Sequence, residues 1–234
     1  MPLPPGPPTR TALITAAAAL TPPAVALLLL VALSWRPLMT LDENVARTTH
    51  RWAVESPGVT HACRILTDWV WDPWTMRALC AVAVVRLVRR HAAWGLALWL
   101  VATCALGTLL QQGLKWAVGR PRPVWPDPVD SAHYAAFPSG HALTATVVCG
   151  LLLWLLHRYD AGRAVRRTAL VLAVVSVVGV GLTRVWLGVH WPSDVVGGWL
   201  VGALVVALAV SAYGRWGDRG PLDRRGRRPE GFPP

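Results

Sequence analysis

Three short stretches of the 234-residue sequence bring basic, histidine and aspartate side chains together at close spacing. The first stretch, residues 115–123, contains Lys115, the single lysine of the chain, and Arg120 and Arg122 follow within seven residues. Alone, Lys115 reads as an interfacial residue at the end of an apolar run. Three cations so close together instead favour a bound anion, because guanidinium offers a planar fork and ammonium a point charge. We therefore predict that Lys115 and Arg122 bind an anion.

The second stretch, Phe-Pro-Ser-Gly-His at 137–141, stands directly before the apolar run 142–156. Proline favours a helix start, which would put Ser139 and Gly140 in the first turn. Unpaired amides at a helix N-terminus bind anions, and glycine lets a ligand approach the backbone closely. Pro-Ser-Gly alone is an ordinary helix start. His141 changes the interpretation, because an imidazole beside an anion can give a proton to a leaving oxygen.

The third stretch, residues 183–194, contains Arg184, His190 and Asp194. Arg184 ends an apolar run, where a charge is costly unless it has a partner. A carboxylate near His190 that accepts its Nδ1 proton would leave Nε2 free to attack and would stabilise the resulting cation. In isolation, Asp194 as a plain helix cap has equal weight. The three stretches together make the chemical interpretation the stronger one.

These residues supply the parts that phosphoryl transfer needs, since that reaction consists mainly of positioning and charge stabilisation. The nucleophile would be His190, oriented by Asp194, and the acid would be His141. The phosphate would be bound by Lys115, Arg122, Arg184, Ser139 and Gly140. The nearest carboxylates for Mg²⁺, Asp127 and Asp130, have proline neighbours typical of turns. We therefore predict no metal and no other cofactor.

Lys-x6-Arg-Pro (115–123), Pro-Ser-Gly-His (138–141) and Arg-x5-His-x3-Asp (184–194) resemble the three-part signature of the type 2 phosphatidate phosphatase superfamily. The resemblance implies a phosphohistidine on His190, protonation of the leaving group by His141 and hydrolysis without a metal. Thr183 departs from the serine common in the family but keeps a hydroxyl. Arg120, inside the spacer of the first motif, is a candidate contact to a headgroup or a second phosphate. Nearby cations would lower the pKa of His190 and Asp194 would raise it, a balance that the sequence leaves open.

The elements that position these residues are apolar. Apolar residues make up 54% of the chain and charged residues 15%. Runs long enough to approach a membrane crossing predict an all-α, polytopic membrane bundle with six transmembrane helices. The predicted spans are about 11–33, 74–88, 92–114, 142–156, 168–187 and 195–213, with the second and fourth short for a full crossing. Interfacial tryptophans near several span ends fit this arrangement.

The basic residues border the spans mainly on one side, so the net charge of +11 favours anionic headgroups over nucleic acid as a partner. Both termini are then expected in the cytoplasm and the loops 34–73, 115–141 and 188–194 outside. We predict a cytoplasmic N-terminus (1–10), a six-span domain (11–213) and a basic, disordered tail (214–234). The long first outer loop, 34–73, would form an interfacial helix and cover the site or guide lipid access. The cysteines favour neither disulfides nor zinc.

The predicted function is hydrolysis of a lipid phosphate in the cell membrane. An isoprenoid diphosphate such as undecaprenyl diphosphate is the preferred substrate, followed by phosphatidate or phosphatidylglycerol phosphate. One alternative is a phosphotransferase that passes the phosphoryl group to a sugar or lipid hydroxyl. Another is a lipid-phosphate binder or transporter, which the set of His141, His190 and Asp194 disfavours, because a binder needs neither an acid nor a nucleophile. The oligomeric state is left open.

Overall fold

The structure, a computed structural model, describes residues 9–216, so most of the predicted N-terminal segment (1–10) and basic tail (214–234) lies outside the described residues. Within that range the chain forms eight α-helices and one π-helical turn, Leu66–Val70. The helices are α1 (Arg10–Ala32), α2 (Arg36–Glu55), α3 (Pro57–Ile65), α4 (Pro73–His91), α5 (Trp94–Val118), α6 (Gly140–Arg158), α7 (Arg163–Trp186) and α8 (Pro192–Trp216).

Among the described residues, five helices are long and apolar enough to cross a membrane: α1, α5, α6, α7 and α8. This confirms the all-α membrane architecture but not the count of six spans. The expected second span, 74–88, is present as α4, a helix of 19 residues. That length corresponds to about 28 Å. Because it contains arginines at 77, 86, 89 and 90, α4 is not among the five helices that are apolar enough to cross a membrane.

Helix α6 lies at the centre of the bundle and contacts α4, α5, α7 and α8, while α1 packs along α8. The crossing of α6 and α8 depends on glycine. A Cβ on Gly198 would lie 2.7 Å from the Ser139 carbonyl oxygen, and one on Gly202 would lie 3.0 Å from the Leu143 carbonyl oxygen. Small residues let two helix backbones approach closely. The first turns of α6 and α8 are therefore held side by side.

The directions of the helices bring all three sequence motifs to one end of the bundle. Helices α5 and α7 end there, whereas α6 and α8 begin there, and the start of α4 lies beside His141. The end of α4, the end of α6 and the start of α7 lie at the opposite end. Seven arginines belong to that opposite end: Arg86, Arg89, Arg90, Arg158, Arg163, Arg166 and Arg167.

The long loop between the first and second predicted spans folds over the motif-bearing end as α2, α3 and the π-helical turn. Helix α2 is amphipathic and contacts α7 and α8 through a buried face. That face consists of Asp42, Ala46, His50 and Ala53. A buried carboxylate and a buried imidazole on it indicate that this loop does more than shield the bundle from water.

Candidate active site

His190 is held between a carboxylate and a guanidinium, and the two contacts define its tautomer. Its Nδ1 lies 3.3 Å from Asp194 Oδ2, and its Nε2 lies 3.1 Å from Arg122 Nη1. A guanidinium can only donate, so Nε2 carries the lone pair and the proton is on Nδ1. Asp194 is further fixed by the Trp191 backbone N–H, 2.9 Å from Oδ2. The ring therefore presents an unprotonated Nε2.

Burial is the main cause that lowers the pKa of His190 well below its usual value. The side chain is 2% exposed, so the imidazolium form would lose its hydration. The positive charges of Arg122, Arg184 and Lys115 lower the pKa further, whereas a backbone hydrogen bond with Ala136 raises it. The direction that the sequence left open is therefore downward, with burial as the largest cause. His190 is neutral at neutral pH.

Three cations converge on this histidine from three parts of the chain. Lys115, in the last turn of α5, donates to the carbonyls of Ala135 and Ala136. Arg122, in the loop after α5, donates through Nε to the Tyr134 carbonyl at 2.9 Å. Arg184, in the last turn of α7, is buried, and its Nε has no hydrogen-bond partner among the described residues. An unpaired buried donor beside His190 is available to an anionic ligand.

The start of α6 differs in one respect from the expected anion site. The backbone N–H of Ser139, expected to face the anion, already donates to the Asp194 carbonyl at 2.9 Å. The Ser139 hydroxyl instead is fully buried and has no partner within the described part of the chain. Gly140 is the first helical residue, so its amide has no acceptor inside the helix. The Gln111 side chain lies 3.1 Å from where a Gly140 Cβ would be, so any larger residue here would have to displace Gln111 slightly.

His141, one residue into α6, completes the group of residues expected from the three motifs. Its ring interacts electrostatically with Arg184, His190, Arg122 and Lys115, so it lies at the same site. Its Nε2 is 4.0 Å from Asp72 Oδ2. Its side chain is 19% exposed, so the ring has access to solvent that His190 lacks.

Arg120 takes a position different from the expected contact to a headgroup or second phosphate. Its Nη1 lies 2.7 Å from Asp194 Oδ1 and 2.7 Å from Ser193 Oγ. Its Nη2 lies 2.7 Å from Asp42 Oδ2. Arg120 is thus a buried cation between two buried carboxylates, with both terminal nitrogens engaged. This pairing is needed because burying the carboxylate of Asp42 or Asp194 without a nearby cation would be costly.

Asp42 and Asp72 were missed in the sequence, and Asp130 was interpreted as a turn residue. Asp42 lies on the buried face of α2, in line with Ala46 and Ala53, and a carboxylate at such a position is the signal that was available. Asp130 Oδ2 lies 3.9 Å from Arg184 Nη1, a contact that no local pattern indicates. Across residues 9–216, no group of three or more histidines, cysteines and acids could hold a metal ion.

Comparison with known proteins finds one family and several curated relatives. A family model described as the PAP2 superfamily matches residues 96–218, which contain all three motifs. A decaprenylphosphoryl-5-phosphoribose phosphatase of Mycobacterium tuberculosis is 34% identical over 164 residues, 69% of this chain and 84% of the relative. An undecaprenyl-diphosphatase of Sulfolobus acidocaldarius is 28% identical over 61% of this chain and 63% of the relative.

A third relative, phosphatidylglycerophosphatase B of Bacillus subtilis, is 33% identical over 43% of this chain and 49% of its own length. Among solved structures, the crystal structure of a transmembrane PAP2 type phosphatidylglycerolphosphate phosphatase from Bacillus subtilis superposes with a TM-score of 0.66. It covers 87% of this chain and 98% of that protein at 22% identity, a likeness of fold.

Proposed function

We propose, from the premise that this chain belongs to the PAP2 superfamily and is a lipid phosphatase, that it hydrolyses a lipid phosphate or diphosphate through a phosphohistidine on His190. The observation that carries this proposal is the unprotonated Nε2, held by Asp194 on one side and facing Arg122 on the other. A nucleophile with its lone pair directed at a cation is prepared for an anionic electrophile.

In the first step, Nε2 of His190 forms a bond to phosphorus while the bond from phosphorus to the leaving oxygen breaks. The electron pair of that bond goes to the leaving oxygen, which takes a proton from His141. The phosphorylated ring keeps its Nδ1 proton, and Asp194 stabilises its positive charge. In the second step, water attacks phosphorus and gives its proton to His141. Inorganic phosphate leaves with the bonding electrons returning to Nε2.

The donors without partners support binding of the phosphate at this site. Arg184 Nε and the Ser139 hydroxyl are buried and have no hydrogen-bond partner in the described part of the chain, and the Gly140 amide starts a helix. Arg122 would exchange its contact to His190 for one to a phosphate oxygen. Donors already in place cost no reorganisation when charge spreads over the equatorial oxygens.

The site is proposed to face the outer side of the membrane. The arginines at the far end of the bundle support this orientation, because cytoplasmic loops carry an excess of lysine and arginine. The lipid tail would stay in the bilayer while its phosphate enters from the headgroup level. Among the relatives, one is named for an isoprenoid diphosphate and others for phosphate esters of ribose or glycerol, so family membership alone does not choose between them.

The test is phosphate release by the purified protein in detergent, with EDTA present, from a panel of lipid phosphates and diphosphates. We expect wild-type activity to survive EDTA and His190→Ala to be inactive. Brief reaction with a 32P-labelled substrate followed by alkaline quenching should trap an acid-labile phosphoprotein. His157→Ala, at the opposite end of α6, is the matched control and should keep its activity. Full activity in His190→Ala, or loss of wild-type activity with EDTA, would refute the mechanism.

A further inference from the structure

Three carboxylates border one side of the proposed site. Asp72 Oδ2 lies 4.0 Å from His141 Nε2, and Asp130 Oδ2 lies 3.9 Å from Arg184 Nη1. Asp68 interacts electrostatically with both of these acids, and its pKa is raised by burial and then by its two acidic neighbours. Each acid comes from a different position: the π-helical turn, the N-cap of α4 and the loop before α6. The fold therefore collects like charges beside a catalytic histidine.

These acids lie where the leaving group of the proposed reaction would be. Phosphoryl transfer keeps the attacking and leaving oxygens roughly in line, so the leaving oxygen is directed away from His190. The group that protonates this oxygen, His141, lies next to Asp72. Whatever is attached to the leaving oxygen must continue past His141 toward the carboxylates. The charge of Asp72 therefore acts on the leaving group, and that of Asp130 acts at the edge of the phosphate site, beside Arg184.

A second phosphate in that place would be repelled. In a diphosphate the leaving group is itself a phosphate, and its negative charge grows as the bond breaks. On this side Arg64 already donates Nε and Nη2 to the Val129 carbonyl, and Arg184 Nη1 already lies 3.9 Å from Asp130 Oδ2. By contrast, the hydroxyls of a sugar or glycerol are donors, and hydrogen bonds to an ionised carboxylate are the stronger ones.

We infer that the substrate is a phosphomonoester on a hydroxylated headgroup, a sugar or glycerol joined to a lipid, and that the carboxylates of Asp72 and Asp130 select it over a lipid diphosphate. This rests on the proposed function and specifies its substrate class. It differs from the isoprenoid diphosphate preferred on sequence grounds. A second feature points to a ligand here, because Arg184 is buried beside Asp130 and its Nε has no hydrogen-bond partner among residues 9–216.

The experiment compares two pairs of substrates that share a tail. One pair is dioleoylglycerol diphosphate and dioleoyl phosphatidylglycerol phosphate; the other is farnesyl diphosphate and farnesylphosphoryl-ribose 5-phosphate. For the wild type we expect kcat/KM to favour the monoester by at least about tenfold in one pair or both. Asp72→Asn and Asp130→Asn should each raise diphosphate hydrolysis about three- to tenfold and lower monoester hydrolysis. Asp72→Glu should restore the wild-type ratio.

Asp160→Asn is the matched control, since it removes a 96% exposed carboxylate at the opposite end of the bundle and should leave the ratio unchanged. A wild-type preference for the diphosphate in both pairs would overturn the inference while leaving the proposed phosphatase intact. Folded Asp72→Asn and Asp130→Asn proteins with unchanged ratios would also overturn it. Release of phosphate from none of the four compounds would refute the proposed function itself.

Discussion

Replacing Asp42 with Asn tests whether the first long loop stabilises the candidate active site. Asp42 is 1% exposed and accepts three hydrogen bonds, from Arg120 Nη2 at 2.7 Å, from the Ser193 N–H at 2.9 Å and from the Ser193 hydroxyl. Asparagine keeps the shape but has one acceptor oxygen, and its amide would face a donor. Arg120 keeps its second carboxylate, Asp194.

Complete removal of one partner from a buried ion pair costs about 3–5 kcal/mol. Because Arg120 remains paired and one acceptor oxygen survives, we expect a smaller loss of about 2–3 kcal/mol. For a chain of this size that loss corresponds to a decrease in Tm of about 4–12 °C. Arg120 would also be left to bind Asp194 alone and would compete more strongly with His190 for that carboxylate. We expect kcat to fall several-fold with little change in KM.

The assay is tryptophan fluorescence during heating in detergent, for which the 14 tryptophans provide the signal, together with steady-state phosphate release. The matched control is Glu43→Gln, which alters the neighbouring residue of α2, a 52% exposed acid paired with Arg47. If Asp42→Asn melts within about 2 °C of Glu43→Gln and has the same kcat, the supporting role assigned to the loop is wrong.

Three further predictions concern the pH dependence of activity, the pH dependence of Tm, and the crossing of α6 and α8. Because its pKa is low, His190 stays neutral in mild acid, so the acid limb of kcat/KM should lie well below about pH 6.5. Arg122→Gln should move this limb to higher pH. An unmoved limb would exclude an influence of Arg122 on the pKa of His190. The unfolded chain binds a proton at His190 near pH 6.5 while the folded chain does not, so this residue should lower Tm as the pH falls below about 6.5. The His190→Gln variant should lack this contribution to the pH dependence of Tm. Gly198→Ala should abolish most activity, since the added methyl meets the Ser139 carbonyl at 2.7 Å. Gly113→Ala should match the wild type, because its methyl would meet no atom of the other described segments within 4 Å. Equal activity in both would contradict the close packing.

The sequence alone determined the features that depend on local chemistry. Hydropathy located the long helices to within a few residues, because an apolar run of that length has few other stable environments. The relation of His190 to Asp194 was also accessible, since four residues at a helix start bring two side chains together regardless of the rest of the fold. The proline-bounded motif around Ser139 indicated the start of α6 correctly. Composition did not decide whether α4 crosses the membrane, because arginines interrupt its apolar residues.

Only the tertiary structure decided which groups are already paired and which charges face the ligand. Arg120 is bound to Asp42, 78 positions away, so its place beside two other cations in the sequence did not reveal its partner. The Ser139 amide is occupied by the Asp194 carbonyl, which α8 brings next to α6. The pKa of His190 falls mainly because the residue is buried, and burial depends on the whole bundle. Local pattern thus identifies reactive side chains, whereas their protonation and partners follow from distant segments that meet only when the chain folds.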